Sequence, residues 1–364
     1  MVEIDTLLEM LIARGGSDLH LVSGDPPRMR VNGDLDTISD EPIPANEMLE
    51  PVISIMPSRA RATFEKEDSA DFAYSIEGKG RFRVNAFRHL NGVGAIFRSI
   101  PEESASLEEL GLPEILKNIS NQKSGMILVT GKTGSGKSTT LCAMVDAING
   151  AHKGHILTIE DPIEFVHRQK QCLISQREVG EHTKTFATAL YSALREDPDV
   201  ILVGEMRDLE TMSLAVTAAE TGILILATLH TNSAASTVDR IINAFPVNKQ
   251  DHIRTMLSTS LRSVISQQLL KQKDGKGRVA AVEIMVNTPA IGNIIREGKT
   301  DQIDNAIQGG GKFGMQSMDI AIKKLLTRDL ITPEVAFEAA NNKSQFTQFL
   351  KKTDQSSLIT SSLL

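Results

Sequence analysis

Four apolar runs dominate the middle of the chain: MILVT (126–130), HILTI (155–159), VILV (200–203) and ILILATL (223–229). Each is of strand length, and none alternates cleanly between polar and apolar. Helical patterns follow them. Leu141, Met144, Val145 and Ile148 share one face of the first helix, and Phe186, Leu190 and Leu194 share one face of the second. Further helices are expected from about Asp208 to Gly222 and from about Ser233. A strand that is apolar on both faces must be covered on both, so the pattern predicts a parallel sheet wrapped by helices: an α/β fold.

The first run leads into GKTGSGKS (131–138), which fits the phosphate-loop pattern G-x-x-x-x-G-K-[ST] between a strand and a helix. Gly131, Gly134 and Gly136 permit the curvature that turns successive N–H groups towards phosphate oxygens. Thr133, Ser135 and Thr139 complete the lining, and the helix N-terminus adds a favourable dipole. Lys137 is expected to reach the outer phosphates of ATP, and the Ser138 hydroxyl to ligate Mg²⁺.

The run 200–203 ends in Gly204-Glu205, where most phosphate-loop enzymes carry an aspartate that holds the magnesium shell. In a parallel sheet, ligand chemistry gathers at the carboxyl ends of the strands. If the four strands are neighbours, the phosphate loop, Glu160-Asp161-Pro162-Ile163-Glu164, Glu205 and His230 meet around one triphosphate. Glu160, Asp161 and Glu164 are then the candidate replacements for the missing carboxylate, and Glu205 is free to act on the attacking water. Each acid also fits a blander role, capping the next helix or pairing with Arg207 or Arg195. Asp208 reads as a helix cap, and Cys142 as packing.

Before residue 100 the texture differs. Ile4, Leu7, Leu8, Leu11 and Ile12 form an amphipathic helical stripe. Short strand-like pieces lie around the turn dipeptide Asn32-Gly33, and helical patterns lie near 45–66. RFRVNAFR (81–88) and GVGAIFRSI (92–100) read as a hairpin joined near Asn91-Gly92. In its first strand Phe82, Val84 and Ala86 share one face, and Arg81, Arg83 and Asn85 the other. The expected organisation is an α+β domain over 1–100, a polar, acidic linker over 101–112, the α/β domain over 113–345 and a weakly ordered tail over 346–364. Beyond 280 the pattern is mostly helical, with Thr332-Pro333 as a helix start and KDGKGR (273–278) as a solvated turn.

Composition narrows the partners. A net charge of -7 and the absence of Trp argue against nucleic acid. No apolar stretch approaches the roughly 18 residues of a membrane span, so direct membrane insertion is not expected. The N-terminus lacks a basic signal-peptide region, and Cys142 and Cys172 form no framework or metal spacing. These features indicate a cytoplasmic protein.

GKTGSGKSTT, ILTIEDPIEF, ILVGEMRD and TLHTNSAASTVDRI occur here in the order and spacing of the type II/type IV secretion ATPase superfamily. SDLHL (17–21), RFRVNAF and SALREDPD narrow the resemblance to the type IV pilus retraction ATPases, over roughly residues 1–340. That resemblance implies a PAS-like N-terminal domain, a RecA-like P-loop ATPase domain with a helical C-terminal extension, and a ring hexamer with ATP between domains and subunits. It makes Glu205 the catalytic glutamate, Glu160 to Glu164 the aspartate box and His230 part of a histidine box. It brings arginines of the N-terminal domain near the triphosphate, with Arg83 and Arg98 matching best and Arg81 and Arg88 next. Its implied partners are further copies of the chain, the inner-membrane platform protein of the pilus and a paralogous retraction ATPase, which locates the protein peripherally at the inner membrane.

Three positions depart from the family pattern. Lys132 replaces a proline, Ile223 a histidine, and Gly292 the first arginine of the retraction-linked segment AIGNIIRE (290–297). The resemblance therefore also admits an accessory retraction subunit, and the superfamily an assembly or secretion motor, although assembly motors are usually longer chains. A regulator that binds ATP with little turnover is a third reading, opposed by the full set of Glu160, Glu164, Glu205 and the arginines.

Overall fold

The computed structural model describes residues 3–31, 33–100 and 105–350. The Asn32 half of the expected Asn32-Gly33 turn lies outside the described residues. The chain divides into two compact units, Met1–Glu103 with Asp161–Arg168, and Ser104–Glu160 with Gln169–Leu364.

The first unit holds a six-stranded sheet in the order β3-β2-β1-β6-β5-β4. Its strands are β1 (Asp18–Val22), β2 (Arg28–Val31), β3 (Asp34–Thr37), β4 (Ser69–Ile76), β5 (Gly80–His89) and β6 (Gly92–Ile100), all paired antiparallel. Helices α1 (Ile4–Ala13), α2 (Leu49–Ser54) and α3 (Ser58–Glu67) complete it. Period-two alternation decides which face is covered. Leu19, Leu21, Phe82, Val84, Ala86, Ala95 and Phe97 are fully buried with Leu8 and Leu11 of α1, while Ile12 is exposed. The opposite face carries charge, and Asp18 and Arg83 both lie opposite Arg98 in the strand register.

The second unit is built on a seven-stranded sheet in the order β13-β12-β7-β11-β10-β8-β9. The four apolar runs are β7 (Gly125–Thr130), β8 (His155–Glu160), β10 (Val200–Val203) and β11 (Leu224–Leu229), mutually parallel and adjacent. Their lack of alternation has the expected cause, since successive residues enter different cores. Met126, Leu128, Ile201 and Val203 face one core, while Ile127, Val129, Val200 and Leu202 face the other.

The first core is covered by α6 (Phe186–Ala193), α7 (Leu209–Glu220), α8 (Ala234–Ala244), α9 (Val247–Ser260), α10 (Pro289–Arg296) and α11 (Ile303–Gly309). The second is covered by α4 (Ile115–Ser120) and α5 (Lys137–Ala151), in which Cys142 is buried. Helices α12 (Met318–Thr327) and α13 (Pro333–Ala339) form a third cluster. The predicted starts of α7, α8 and α13 are real caps: Asp208, Ser233 and Thr332 each accept a backbone N–H of the first turn.

Strand β4 of the first unit was not foreseen in the sequence, nor were three strands of the second. Strand β9 (Leu173–Glu178) is a parallel edge beside β8, and β12 (Leu261–Lys271) and β13 (Arg278–Val286) form an antiparallel hairpin. KDGKGR is the turn of that hairpin, tied down where Lys273 bridges Asp329 at 2.6 Å. Leu107 and Leu112, inside the expected linker, are buried against the second core. Phe346 and Leu350, inside the expected tail, are buried in the third cluster. Residues 101–104 and 351–364 lie outside the described residues.

Candidate nucleotide site

The phosphate loop joins β7 to α5, and its shape explains its glycines. Gly131, Gly134 and Gly136 have φ values of 146°, 78° and 85°, in the left-handed region where a Cβ is strained. A Cβ on Gly131 would lie 2.4 Å from the Gln267 carbonyl oxygen. Lys137, the first residue of α5, is buried and donates to the carbonyls of Gly131 (2.9 Å) and Lys132 (3.2 Å). Its ammonium therefore lies within the curve of the loop. Ser138 and Thr139 follow in the first helical turn, where backbone N–H groups have no intrahelical partner.

A residue not singled out from the sequence braces this loop from the neighbouring strand. Gln267 of β12 is buried, donates to the Ser135 carbonyl at 2.8 Å and accepts from Thr140 Oγ1 at 2.7 Å. Beside it, Thr130 and Ser266 share a hydrogen bond of 2.9 Å. The signal was present in SVISQQLL: two glutamines continue an apolar run that neighbours the phosphate-loop strand.

Three other strand ends gather at the same edge of the sheet. Glu160 closes β8, where its carboxylate accepts from Thr158 Oγ1 at 2.7 Å and Gln176 Nε2 at 3.2 Å. Glu205 follows β10 and is held on both oxygens, by Arg207 Nη2 at 2.7 Å and His230 Nε2 at 3.1 Å. Burial alone would raise its pKa. The hydrogen bond from Arg207 and the charges of His230 and Arg207 outweigh that effect and hold it below the usual carboxylate value. Glu205 is thus an anion at neutral pH, able to accept a proton or orient a water.

The missing aspartate has a steric explanation. A Cβ on Gly204 would lie 3.2 Å from the Ile159 carbonyl oxygen and 3.3 Å from Glu160 Cα, both backbone atoms of β8. Strand β8 crowds the position, and Glu160 sits where the crowding originates.

A cavity of about 430 Å³ opens beside the loop. Its walls are Lys132–Ser135, Asn232, Gln267–Leu269 and the end of α13 from Glu338 to Asn341. Lys132, the departure from proline, is an exposed part of this wall.

Within the second unit the structure therefore brings together Gly131 to Thr139, Glu160, Glu205 and His230. Asp161 and Glu164 belong to the segment that clusters with the first unit. Arg83 and Arg98 lie on the first unit's sheet, paired with Asp71 at 3.7 Å and Asp18 at 2.9 Å. Ile223 precedes β11 whereas His230 follows it. Six strand residues separate them by about 20 Å, so the lost histidine is remote from this constellation. Gly292 is buried in α10, where a Cβ would meet the Ser258 carbonyl oxygen at 2.9 Å. Ile291 and Ile295 keep the apolar face of AIGNIIRE in the core, and Arg296 donates to Ser258 Oγ at 3.1 Å. Among the described residues no helix is long and apolar enough to cross a membrane, and no group of three or more His, Cys, Asp or Glu side chains could hold a metal ion.

A glycine-curved loop that closes a lysine inside it, at the carboxyl edge of a parallel sheet with an ionised glutamate opposite, defines a phosphate-loop nucleotide-binding protein. A profile of the type II/IV secretion system protein family matches residues 2–336, and the chain belongs to that family. It is 52% identical over 345 residues to the type IV pilus retraction ATPase PilT of Pseudomonas aeruginosa, covering 95% of this chain and 100% of the relative. It is 41% identical over 355 residues to the type IV pilus ATPase PilU of the same organism, covering 98% and 93%. A crystal structure of the pilus retraction motor PilT with bound ADP superposes with a TM-score of 0.88 at 44% identity, covering 95% of this chain and 99% of that one.

Proposed function

We propose that this chain is an ATPase motor that powers type IV pilus retraction, with ATP held by the phosphate loop and hydrolysed opposite Glu205. The observation that carries the reading is this paired constellation, Lys137 within the loop and Glu205 braced by Arg207 and His230, in a chain 52% identical to PilT along the whole relative. Lower identity to PilU, 41%, favours the main motor over an accessory paralogue.

In this reading Lys137 exchanges its loop carbonyls for the outer phosphate oxygens. Glu205 orients the attacking water and takes its proton, and His230 keeps the carboxylate aimed. The loop itself fits a phosphate, because Ser135 Oγ is buried with no hydrogen-bond partner among the described residues and an anionic oxygen would satisfy it. The oxygen donors of Ser138 and Glu160 suit Mg²⁺, which keeps most of its shell as water and phosphate and needs few protein ligands. Bound there, the ion would neutralise charge on the triphosphate. Asp161 and Glu164 are further candidates for its outer shell.

The working form in this proposal is a homo-hexameric ring. Arg83 and Arg98 reach the triphosphate of a neighbouring copy, and the ring acts on the inner-membrane platform protein of the pilus. The test has two levels. Purified Lys137→Ala should lose most ATP turnover while remaining folded, and wild-type turnover would remove the site. Deleting the gene should leave cells hyperpiliated and unable to retract; normal retraction would remove the motor assignment.

A further inference from the structure

Glu283 sits in the middle of β13 and is 4% exposed, yet it belongs to no part of the chemistry described above. Its Oε1 accepts the backbone N–H of Ala234, the first residue of α8, at 2.8 Å. The backbone N–H of Met318, the first residue of α12, also favours the ionised carboxylate. One buried carboxylate therefore caps α8 and faces the N-terminus of α12, two helices far apart in sequence. Charge-assisted bonds of this kind are stronger than neutral ones, and losing one leaves a buried donor unmatched.

Both helices lead to the cavity beside the phosphate loop. Immediately before α8 run His230, Thr231, Asn232 and Ser233, of which His230 holds Glu205 and Asn232 lines the cavity. In the first turn of α12, Asp319 accepts the backbone N–H groups of Asn341 (2.8 Å) and Asn342 (3.0 Å). Asn341 lines the cavity on the α13 side. Glu283 thus joins the Asn232 side to α12, and Asp319 joins α12 to the Asn341 side. Burial and the nearby acids Asp304 and Asp319 push the Glu283 carboxyl upward, so the arrangement carries an electrostatic cost that the core does not require.

We propose that Glu283 is a positioning residue for nucleotide binding: with Asp319 it fixes the two walls of the cavity beside the phosphate loop relative to each other. The inference rests on the proposed ATP site and deepens it. The carboxylate does not touch the nucleotide. It sets the spacing into which the nucleotide fits, and so acts on affinity more than on the hydrolytic step.

The experiment uses the full chain and ADP as probe, titrated calorimetrically, with ATP turnover measured in parallel. Glu283→Gln keeps the shape and one acceptor oxygen but presents an amide NH₂ to one of the two helix donors. Asp319→Asn does the same to the Asn341–Asn342 segment from a half-buried position, and tests the idea if Glu283→Gln fails to fold. Each should raise the ADP Kd about tenfold, which is about 1.4 kcal/mol, and raise the ATP KM by a similar factor while kcat changes less than threefold. Because both act through α12, the double variant should stay close to the larger single effect. Folded variants with a lower melting temperature but an unchanged ADP Kd would make Glu283 merely structural and overturn the proposal. So would a double variant whose loss equals the product of the two. Lys137→Ala separates the two readings: if it retains turnover, the site itself is wrong. If it loses turnover while both acidic variants bind ADP normally, only this inference falls.

Discussion

The bracing of the phosphate loop by Gln267 makes a measurable claim. Gln267→Leu conserves approximate volume while removing both side-chain hydrogen bonds, so it tests the bonds with little cavity formation. The Ser135 carbonyl loses its donor in a buried setting, which costs about 1–3 kcal/mol. Thr140 loses less, because its hydroxyl can turn to the Gly136 carbonyl one helical turn back. A net loss of about 2–3 kcal/mol follows, centred on the loop. If the loss is felt globally, the melting temperature falls by about 4–12 °C, at roughly 2–4 °C per kcal/mol for a unit of this size. If the loop loosens locally instead, the cost appears as a weaker ATP affinity of tenfold or more. Gln267→Glu discriminates further, since it keeps the acceptor for Thr140 and loses only the donor to Ser135. Thermal melts with and without ADP, together with ATP KM, read both channels. A Gln267→Leu protein with unchanged melting temperature and unchanged KM would refute the bracing role.

Other predictions follow from the same geometry. Glu205→Gln should bind ATP near normally and hydrolyse it at least a hundredfold more slowly, since the amide keeps shape but cannot take a proton; equal loss of binding and turnover would make Glu205 structural. The folded Glu205 carboxyl titrates below its unfolded value, so its pairing with Arg207 and His230 stabilises the protein above the unfolded pKa and is lost as pH falls through the folded one. Urea midpoints of parent and Glu205→Gln should accordingly differ at neutral pH and converge in acid, and a constant difference would contradict the sign. Gly204→Asp should not create a better enzyme, because its Cβ presses on two backbone atoms of β8; a variant with raised turnover and unchanged melting temperature would defeat the steric account. Arg83→Ala and Arg98→Ala should each lower turnover strongly while retaining ADP binding, and mixing either with Glu205→Gln should recover activity if subunits exchange. Exchanging mixed rings without recovery would end the proposal that these arginines act on a neighbour.

What was legible in the sequence tracks where local physics decides the structure. The four apolar runs could only be internal parallel strands, because residues such as Ile127 and Leu128 enter opposite cores and both need covering. The caps at Asp208, Ser233 and Thr332 were readable because a side-chain oxygen bonds to its own helix. The β12–β13 hairpin was not readable in the same way. Its first strand continues directly from α9, from Ser260 to Leu261, without a turn signal, and Ser263, Ser266 and Gln267 are buried through partners remote in sequence. Strand β9 was hidden for a related reason: LISQRE is an edge strand whose half-buried polar residues carry no strong period. Leu107 and Leu112 stood within an acidic stretch, and only the tertiary fold shows that they reach a core. The strand ends that carry the loop, Glu205 and His230 were readable from local sequence. Gln267 and Glu283 were not, because their importance lies in bonds to residues 132 and 49 positions away.

The distribution of acids around this site has a physical logic that the missing aspartate exposes. Strand β8 pairs with β10 in a register that sets Ile159 opposite Val203, so the next residue on β10 meets the β8 backbone as that strand turns outward. Gly204 N–H donates to the Ile159 carbonyl at 2.8 Å, and this close approach would press a side chain tightly against the β8 backbone. A carboxylate at 204 would also lie between Glu160 and Glu205, placing three like charges on two adjacent strand ends, which raises the cost of keeping each ionised. With glycine there, Glu160 accepts from Thr158 and Gln176, and Glu205 pairs with Arg207 and His230. The separation gives the two carboxylates different chemistry. Glu160 accepts from the neutral side chains of Thr158 and Gln176. Glu205 is paired with positive charge and stays an anion. In the function proposed above, the glycine therefore leaves one acid for the metal shell and the other for the water.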